Sequence, residues 1–146
     1  MTEQSRAEVA FLFFISCGWT KEQAAGIVGN LMAESGRNLA FESATGDGGT
    51  AHGLAQWRFE RVDKFEDVFG FPLSESSFED QLNYVQWELT NPKSSEKRSG
   101  DRLKNADTAS EAASIVDQYY ERSSGEARGL RISYAQEILR KYGDEV

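Results

Sequence analysis

The sequence predicts a mainly α domain of the α+β class, with about six helices and one small β-hairpin after the second. Three observations point there. Apolar residues recur at the helical spacing through most of the chain. Only 2 Pro occur in 146 residues. The helical pattern lapses from Arg37 to Gln56, where Thr45-Gly46-Asp47-Gly48-Gly49-Thr50 is dense in turn formers. With 39% hydrophobic residues, 9 Phe, 5 Tyr and 3 Trp, the chain carries enough apolar material for one domain over residues 1–146.

The elements follow in order. A first helix is expected from about Gln4 to Ser16, stopped by Gly18, which tolerates a left-handed backbone. Thr20-Lys21-Glu22-Gln23 is a capping box, in which the Thr oxygen caps the helix and Gln23 reaches back. The second helix carries Ala24, Ile27, Val28, Leu31 and Met32 and should end near Ser35-Gly36, which puts Glu34 in its last turn. Phe41–Thr45 and Ala51–Trp57 flank the Gly-rich turn as a short hairpin or looped flap. Phe59, Val62, Phe65, Val68 and Phe69 make one helical stripe, and Phe78, Leu82, Val85 and Leu89 another, closed by Asn91-Pro92. Pro92–Gly100 is polar and reads as an exposed loop. Thr108-Ala109-Ser110-Glu111 is a second capping box, opening a helix with Ala112, Ile115, Val116 and Tyr119. Ser123-Ser124-Gly125 breaks the chain before a last helix bearing Leu130, Ala135, Ile138, Leu139 and Tyr142.

Charge narrows the partners. The net charge of −8, from 16 basic and 24 acidic residues, argues against nucleic acid and against an anionic membrane surface. An uncharged sugar chain stays open. One Cys and one His leave no internal disulfide and too few ligands for a zinc site, and no acidic loop of the calcium-binding pattern occurs. No metal or other cofactor is therefore expected. The most apolar run, Val9–Cys17, is far short of the ~20 residues of a spanning helix. Arg6, that run and Cys17 faintly resemble a lipoprotein signal, but Glu3 and Glu8 acidify it, so a core-facing helix is the expectation.

Glu34 is the first candidate for chemistry. The negative end of a helix dipole and partial burial both favour the neutral acid, the form a general acid needs. The second candidate is the loop from Gly46 to Trp57. Three Gly within four residues bring backbone close to something or turn it tightly, and Asp47 sits among them. Gln56 and Trp57 offer an amide and an indole, suited to gripping a sugar. The loop lacks the Gly spacing and the Lys of a phosphate loop. Cys17 and His52 do not form a nucleophilic pair, since no third orienting group stands at a recognisable position.

Asn30-Leu31-Met32-Ala33-Glu34-Ser35-Gly36, followed by Gly46-Asp47-Gly48-Gly49-Thr50-Ala51-His52-Gly53-Leu54-Ala55-Gln56-Trp57, resembles the lysozyme superfamily, and more narrowly the phage tail lysozyme family of peptidoglycan hydrolases. Gln81–Leu89 and Tyr119-Tyr120-Glu121-Arg122 add to the likeness, which covers about Gly18 to Leu139. The resemblance implies a lysozyme-like fold and a muramidase that cleaves the β-1,4 bond between N-acetylmuramic acid and N-acetylglucosamine. Glu34 would be the general acid. Asp47 is the candidate second carboxylate, with Glu42 competing on the same element. Thr50, His52 and Gln56 are candidates for substrate contact, with Tyr120 and Glu121 on an opposite wall; Trp57 and Trp87 read as core or cleft floor. A lytic transglycosylase, and a non-catalytic module that only grips the glycan, are the alternatives. The partner implied is the peptidoglycan strand, met by a monomer or by part of a phage tail, after phage delivery or during lysis. An acidic enzyme on an anionic wall should lose activity at very low salt, where repulsion is unscreened.

Overall fold

The computed structural model describes residues 4–42, 45–46 and 51–146, and gives side-chain surroundings for all of these except 45–46. Seven α-helices and three two-residue strands occur among them: α1 (Arg6–Ser16), α2 (Lys21–Ser35), β1 (Thr45–Gly46), β2 (Ala51–His52), β3 (Trp57–Arg58), α3 (Glu60–Phe69), α4 (Phe78–Thr90), α5 (Lys97–Leu103), α6 (Ala109–Ile115) and α7 (Arg128–Tyr142). The expected mainly α, α+β lysozyme-like architecture is what is found.

α2 is the axis of the molecule. Thr20 caps it as expected, accepting from Gln23 N while Gln23 Oε1 accepts from Thr20 N, both at 3.1 Å. Every residue from Gln23 to Met32 is buried, so the helix is enclosed on all sides and not merely amphipathic. Small residues make this possible. A Cβ on Gly26 would lie 2.4 Å from Ala112 Cβ in α6, and one on Gly29 would lie 2.7 Å from Ala135 N in α7. α2 packs chiefly on α7 and α6, with α1 on a further side. Phe11, Phe14, Ile27, Leu31, Leu82, Leu89 and Ile138 fill the core between them.

The strands form an antiparallel sheet in the order β1-β2-β3, pairing Thr45 with His52 and His52 with Trp57. The sheet is sewn to α4 through Gly53 and Leu54. Gly53 has φ +79°, and a Cβ there would meet Gln81 Oε1 at 2.8 Å and the Trp57 ring at 3.0 Å. Leu54 N donates to that same Gln81 oxygen at 2.9 Å.

Several local expectations change. The stretch read as a loop up to Gly100 contains the start of α5, with Ser99 and Gly100 buried. Gly100 is there for contact and not for a break: a Cβ would fall 1.8 Å from Leu89 O, so only Gly lets α5 lie against the end of α4. Phe59 and Leu130 leave their stripes and are exposed, at 69% and 48%. Phe59 precedes α3 with φ +45°, which turns its side chain away from the helix face. At the second capping box Thr108 does cap α6 through Glu111 N, but Glu111 returns its carboxylate to the Thr108 hydroxyl and not to backbone. No helix among the described residues is long and apolar enough to cross a membrane.

Candidate active site

The site begins where α2 ends. Glu34 is the penultimate residue of that helix, and Gly36 follows with φ +93°, carrying the chain away. The Glu34 side chain is 19% exposed. Its Oε1 accepts a hydrogen bond from Arg131 Nη2 at 2.5 Å. Arg131 lies in the first turns of α7 and is nearly buried. Its Nη1 donates to Asn30 Oδ1 at 3.1 Å, and Asn30 Nδ2 is itself held by Gly26 O and Ala113 O. Its Nε stands 2.9 Å from Asp117 Oδ1, an ion pair by distance whose N–H is not aimed along the line. Asp117 is fully buried, paired with Arg128 at 2.8 Å and hydrogen-bonded by Ser123 Oγ. A line of alternating charge, Glu34–Arg131–Asp117–Arg128, thus runs from the cleft through buried Asp117 to the part-exposed Arg128.

The opposite wall comes from the segment Val116–Glu121, which winds as a π-helix after α6. Such widened turns place side chains out of the regular helical sequence and are often found at functional sites. Here the segment buries Tyr120 and brings Glu121 to the cleft. Arg122, with φ +56°, then turns the chain, and its Nη2 donates to Glu96 Oε1 at 2.6 Å. Glu88 in α4 anchors this wall. Its carboxylate accepts from Trp57 Nε1 at 2.8 Å, Tyr120 OH at 2.7 Å, and Arg61 Nε and Nη2 at 2.8 and 2.9 Å. Arg61 also donates to Tyr120 O at 3.2 Å and lies over the Tyr120 ring. Burial disfavours the Arg61 charge, but its bonds to Glu88 outweigh that and hold its pKa above the ordinary value.

Between the walls is a cleft of about 410 Å³ lined by Glu34, Ala55, Gln56, Arg58, Arg61, Glu121, Arg122, Ser123 and Ser124. Gln56 has φ +54°, and its Nε2 folds back to Gly53 O at 3.1 Å. Glu121 is half-buried as a residue, while its Oε1 is sealed from solvent with no hydrogen-bond partner. Burial, and after it the charge of Glu34, push the Glu121 carboxyl well above the ordinary carboxylate range.

Of the residues singled out by sequence, Glu34, Gln56 and Glu121 meet in this cleft. Tyr120 does not: it is 1% exposed and its hydroxyl serves Glu88 inside the protein. His52 lines a separate pocket of about 260 Å³ together with Phe41, Glu42, Asp63 and Glu66. Glu42 is largely exposed and paired with Arg6 at 3.2 Å. Trp57 is fully buried and Trp87 partly so. Asp47 and Thr50 lie outside the described residues. Partial desolvation pushes the Cys17 thiol up, opposite to an activated nucleophile. No group of three or more metal-ligating side chains occurs among the described residues.

Sequence reasoning missed Arg131, Asp117, Glu88 and Arg61. The signal was present for three of them. Arg131 precedes Ala135, Ile138 and Tyr142 at helical spacing, so a charge stands on the apolar stripe. Asp117 shares a face with Ala113 and Tyr120, and Glu88 follows Gln81, Tyr84 and Val85 in the same way.

A helix ending in a cleft carboxylate, faced by a small sheet and enclosed by further helices, defines a lysozyme-like domain. The family model described as Phage tail lysozyme matches residues 5–142, nearly the full chain, and the protein belongs to that family of lysozyme-like peptidoglycan hydrolases. No curated protein sequence matches this chain.

Proposed function

We propose that the protein is a muramidase, cleaving the β-1,4 bond between N-acetylmuramic acid and N-acetylglucosamine with Glu34 as general acid. The observation that carries the reading is the setting of Glu34. It is a carboxyl at the end of the central helix, partly exposed in a polar cleft and held by Arg131. In the reaction the Glu34 proton goes to the glycosidic oxygen, and the bond between that oxygen and C1 of the muramic acid breaks with its electron pair going to oxygen. Water adds to C1, and its proton returns to the carboxylate. Such a step proceeds through an oxocarbenium-like transition state. Asp47 is our candidate for a second carboxylate. Glu42 is less well supported, because its charge is taken up by Arg6 and it borders a different pocket. Gln56, which shares the cleft, supports the glycan as partner, and the family supports a phage tail setting; the protein would reach the wall after phage delivery or during lysis.

The test is mass spectrometry of fragments released from purified peptidoglycan, with Glu34→Gln alongside. Reducing muramic ends, lowered at least ~100-fold in the variant, support the reading. Anhydro-muramic ends would replace it with transglycosylation, in which the sugar's own hydroxyl attacks C1. Equal release by the variant would remove Glu34 from the chemistry, and none by either protein would replace the reading with a non-catalytic glycan-binding module or a different polysaccharide.

A further inference from the structure

We propose that a basic pocket between α5 and the π-helical segment takes a carboxylate of the peptide that branches from the muramic acid of the glycan, with Arg98 as its anchor. The proposal rests on the reading of the neighbouring cleft as the place where that glycan is cut.

The pocket holds about 470 Å³ and is lined by Ser95, Arg98, Ser99, Gln118, Tyr119 and Arg122. Two guanidinium groups border it and no carboxylate does, on a chain whose net charge is −8. The surrounding charges leave it positive. Lys97 and Asp101 of α5 cancel each other at 2.9 Å. Buried Glu96 accepts from Arg122 Nη2 at 2.6 Å, which fixes that guanidinium in the wall it lines. Arg102 lies over the Tyr119 ring, 4.2 Å from its centre. Arg98 is exposed and has no hydrogen bond or ion pair among the described residues, so its five N–H donors are open. Arg98 and Arg102 stand one turn apart on α5, a spacing at which like charges repel. An anion seated on Arg98 relieves that repulsion and gains charge-assisted hydrogen bonds.

The neighbouring cleft says which anion this is. Arg122 lines both the pocket and the cleft that holds Glu34, so the two cavities share a wall. In the substrate, the peptide hangs from the lactyl group at C3 of the same muramic acid whose C1 is cleaved. It therefore leaves the cleft within one sugar of Glu34. Inside the cleft a peptide carboxylate meets Glu34 and Glu121, while Arg61 is taken up by Glu88 and Arg58 has interactions of its own. Across Arg122 it meets guanidinium groups and no acid. The planar fork of Arg98 suits a carboxylate, which it can hold by two parallel hydrogen bonds.

The probe is N-acetylmuramic acid carrying its pentapeptide, which has no glycosidic bond to cut, against the same compound with every carboxylate amidated. Each is titrated into the 15N-labelled wild-type protein at low salt and followed by NMR. The acid is expected to bind at least ~10-fold tighter than the amide, as a hydrogen bond between charged groups implies. It should shift the Arg98 side-chain Nε–H and the Tyr119 amide. Arg98→Gln should erase the preference, and Arg98→Lys, which keeps the charge without the fork, should retain part of it. Equal binding of acid and amide by wild type would overturn the proposal, as would an R98Q protein that keeps the preference. Glycerol phosphate is a further probe: if it binds as tightly as the acid and shifts the same signals, the pocket is a general anion site and the proposal fails. The wild-type comparison decides the matter even if a variant does not fold. It needs no turnover, so failure of the pocket is read separately from failure of Glu34 as acid.

Discussion

Arg131 Nη2 donates to Glu34 Oε1 at 2.5 Å, joining residues 97 apart in sequence. The bond ties the end of α2 to the first turns of α7, the two helices that pack most extensively on each other. Because Arg131 is also held by Asn30 and Asp117, the Glu34 carboxylate has one orientation set from inside the protein.

Replacing Arg131 with Met should lower stability by about 3–5 kcal/mol, because it leaves a buried carboxylate network short of a positive charge. Activity should fall as well, since Glu34 loses its anchor. Urea unfolding of the variant, with lysis measured at a temperature where it remains folded, separates the two effects. A midpoint within error of wild type would mean that Arg128 alone satisfies Asp117.

Gly29 sets the spacing that this bond needs. Gly29→Ala puts a Cβ 2.7 Å from Ala135 N and 2.8 Å from Arg131 O, both backbone atoms that cannot swing aside. The expected cost is about 1–3 kcal/mol, with reduced lysis. Gly129→Ala is the internal control. Nothing lies within 4 Å of the Cβ it would gain, so it should be neutral or stabilise α7 by up to about 1 kcal/mol. Thermal melts should show a lowered midpoint for Gly29→Ala and an unchanged or raised one for Gly129→Ala.

Glu88→Gln tests the other wall. Glu88 accepts from Trp57, Tyr120 and Arg61, and an amide nitrogen would confront at least one of these donors. The loss of charge beside Arg61 is expected to cost about 3–5 kcal/mol. Denaturant unfolding reads that cost directly, and a loss below ~1 kcal/mol would mean that the network relaxes around the amide.

The raised pKa of Glu121 has a consequence for stability against pH. The unfolded chain ionises near the ordinary value of about 4.3, whereas the folded protein holds the proton to higher pH. The contribution of Glu121 is therefore fully present below that value and is lost as pH rises through the folded pKa. The stability of wild type relative to Glu121→Gln should accordingly decline as pH rises from about 4 through the folded pKa. Urea midpoints of both proteins across that range give the slope; a flat difference would show that Glu121 ionises as in the unfolded chain.

Much of the architecture was legible in the sequence because it rests on local rules. The Thr20 capping box, the end of α2 at Ser35-Gly36 and the placing of Glu34 in its last turn depend on neighbours within a few residues. So do the stripe of α4 and the reading of a small β element flanking the Gly-rich turn, although its first strand falls at Thr45–Gly46 and not over Phe41–Thr45. α5 was not legible, because a polar seven-residue helix is held by its fit against Leu89 and not by its own periodicity.

The sequence by itself determined the class: where most of the helices lie, where the sheet interrupts them, and that a Glu stands in the last turn of the second helix. Tertiary structure decided the electrostatics. Arg131, Asp117, Glu88 and Arg61 are ordinary charges in the sequence, and their meaning comes from burial beside partners 11 to 101 residues away. It also decided that Glu121, and not Tyr120, reaches the cleft, since a π-turn shifts which side chain faces outward. The physical reason is common to both: helical periodicity is written in short-range spacing, whereas the energy of a charge depends on the dielectric and the partners that only the folded chain assembles.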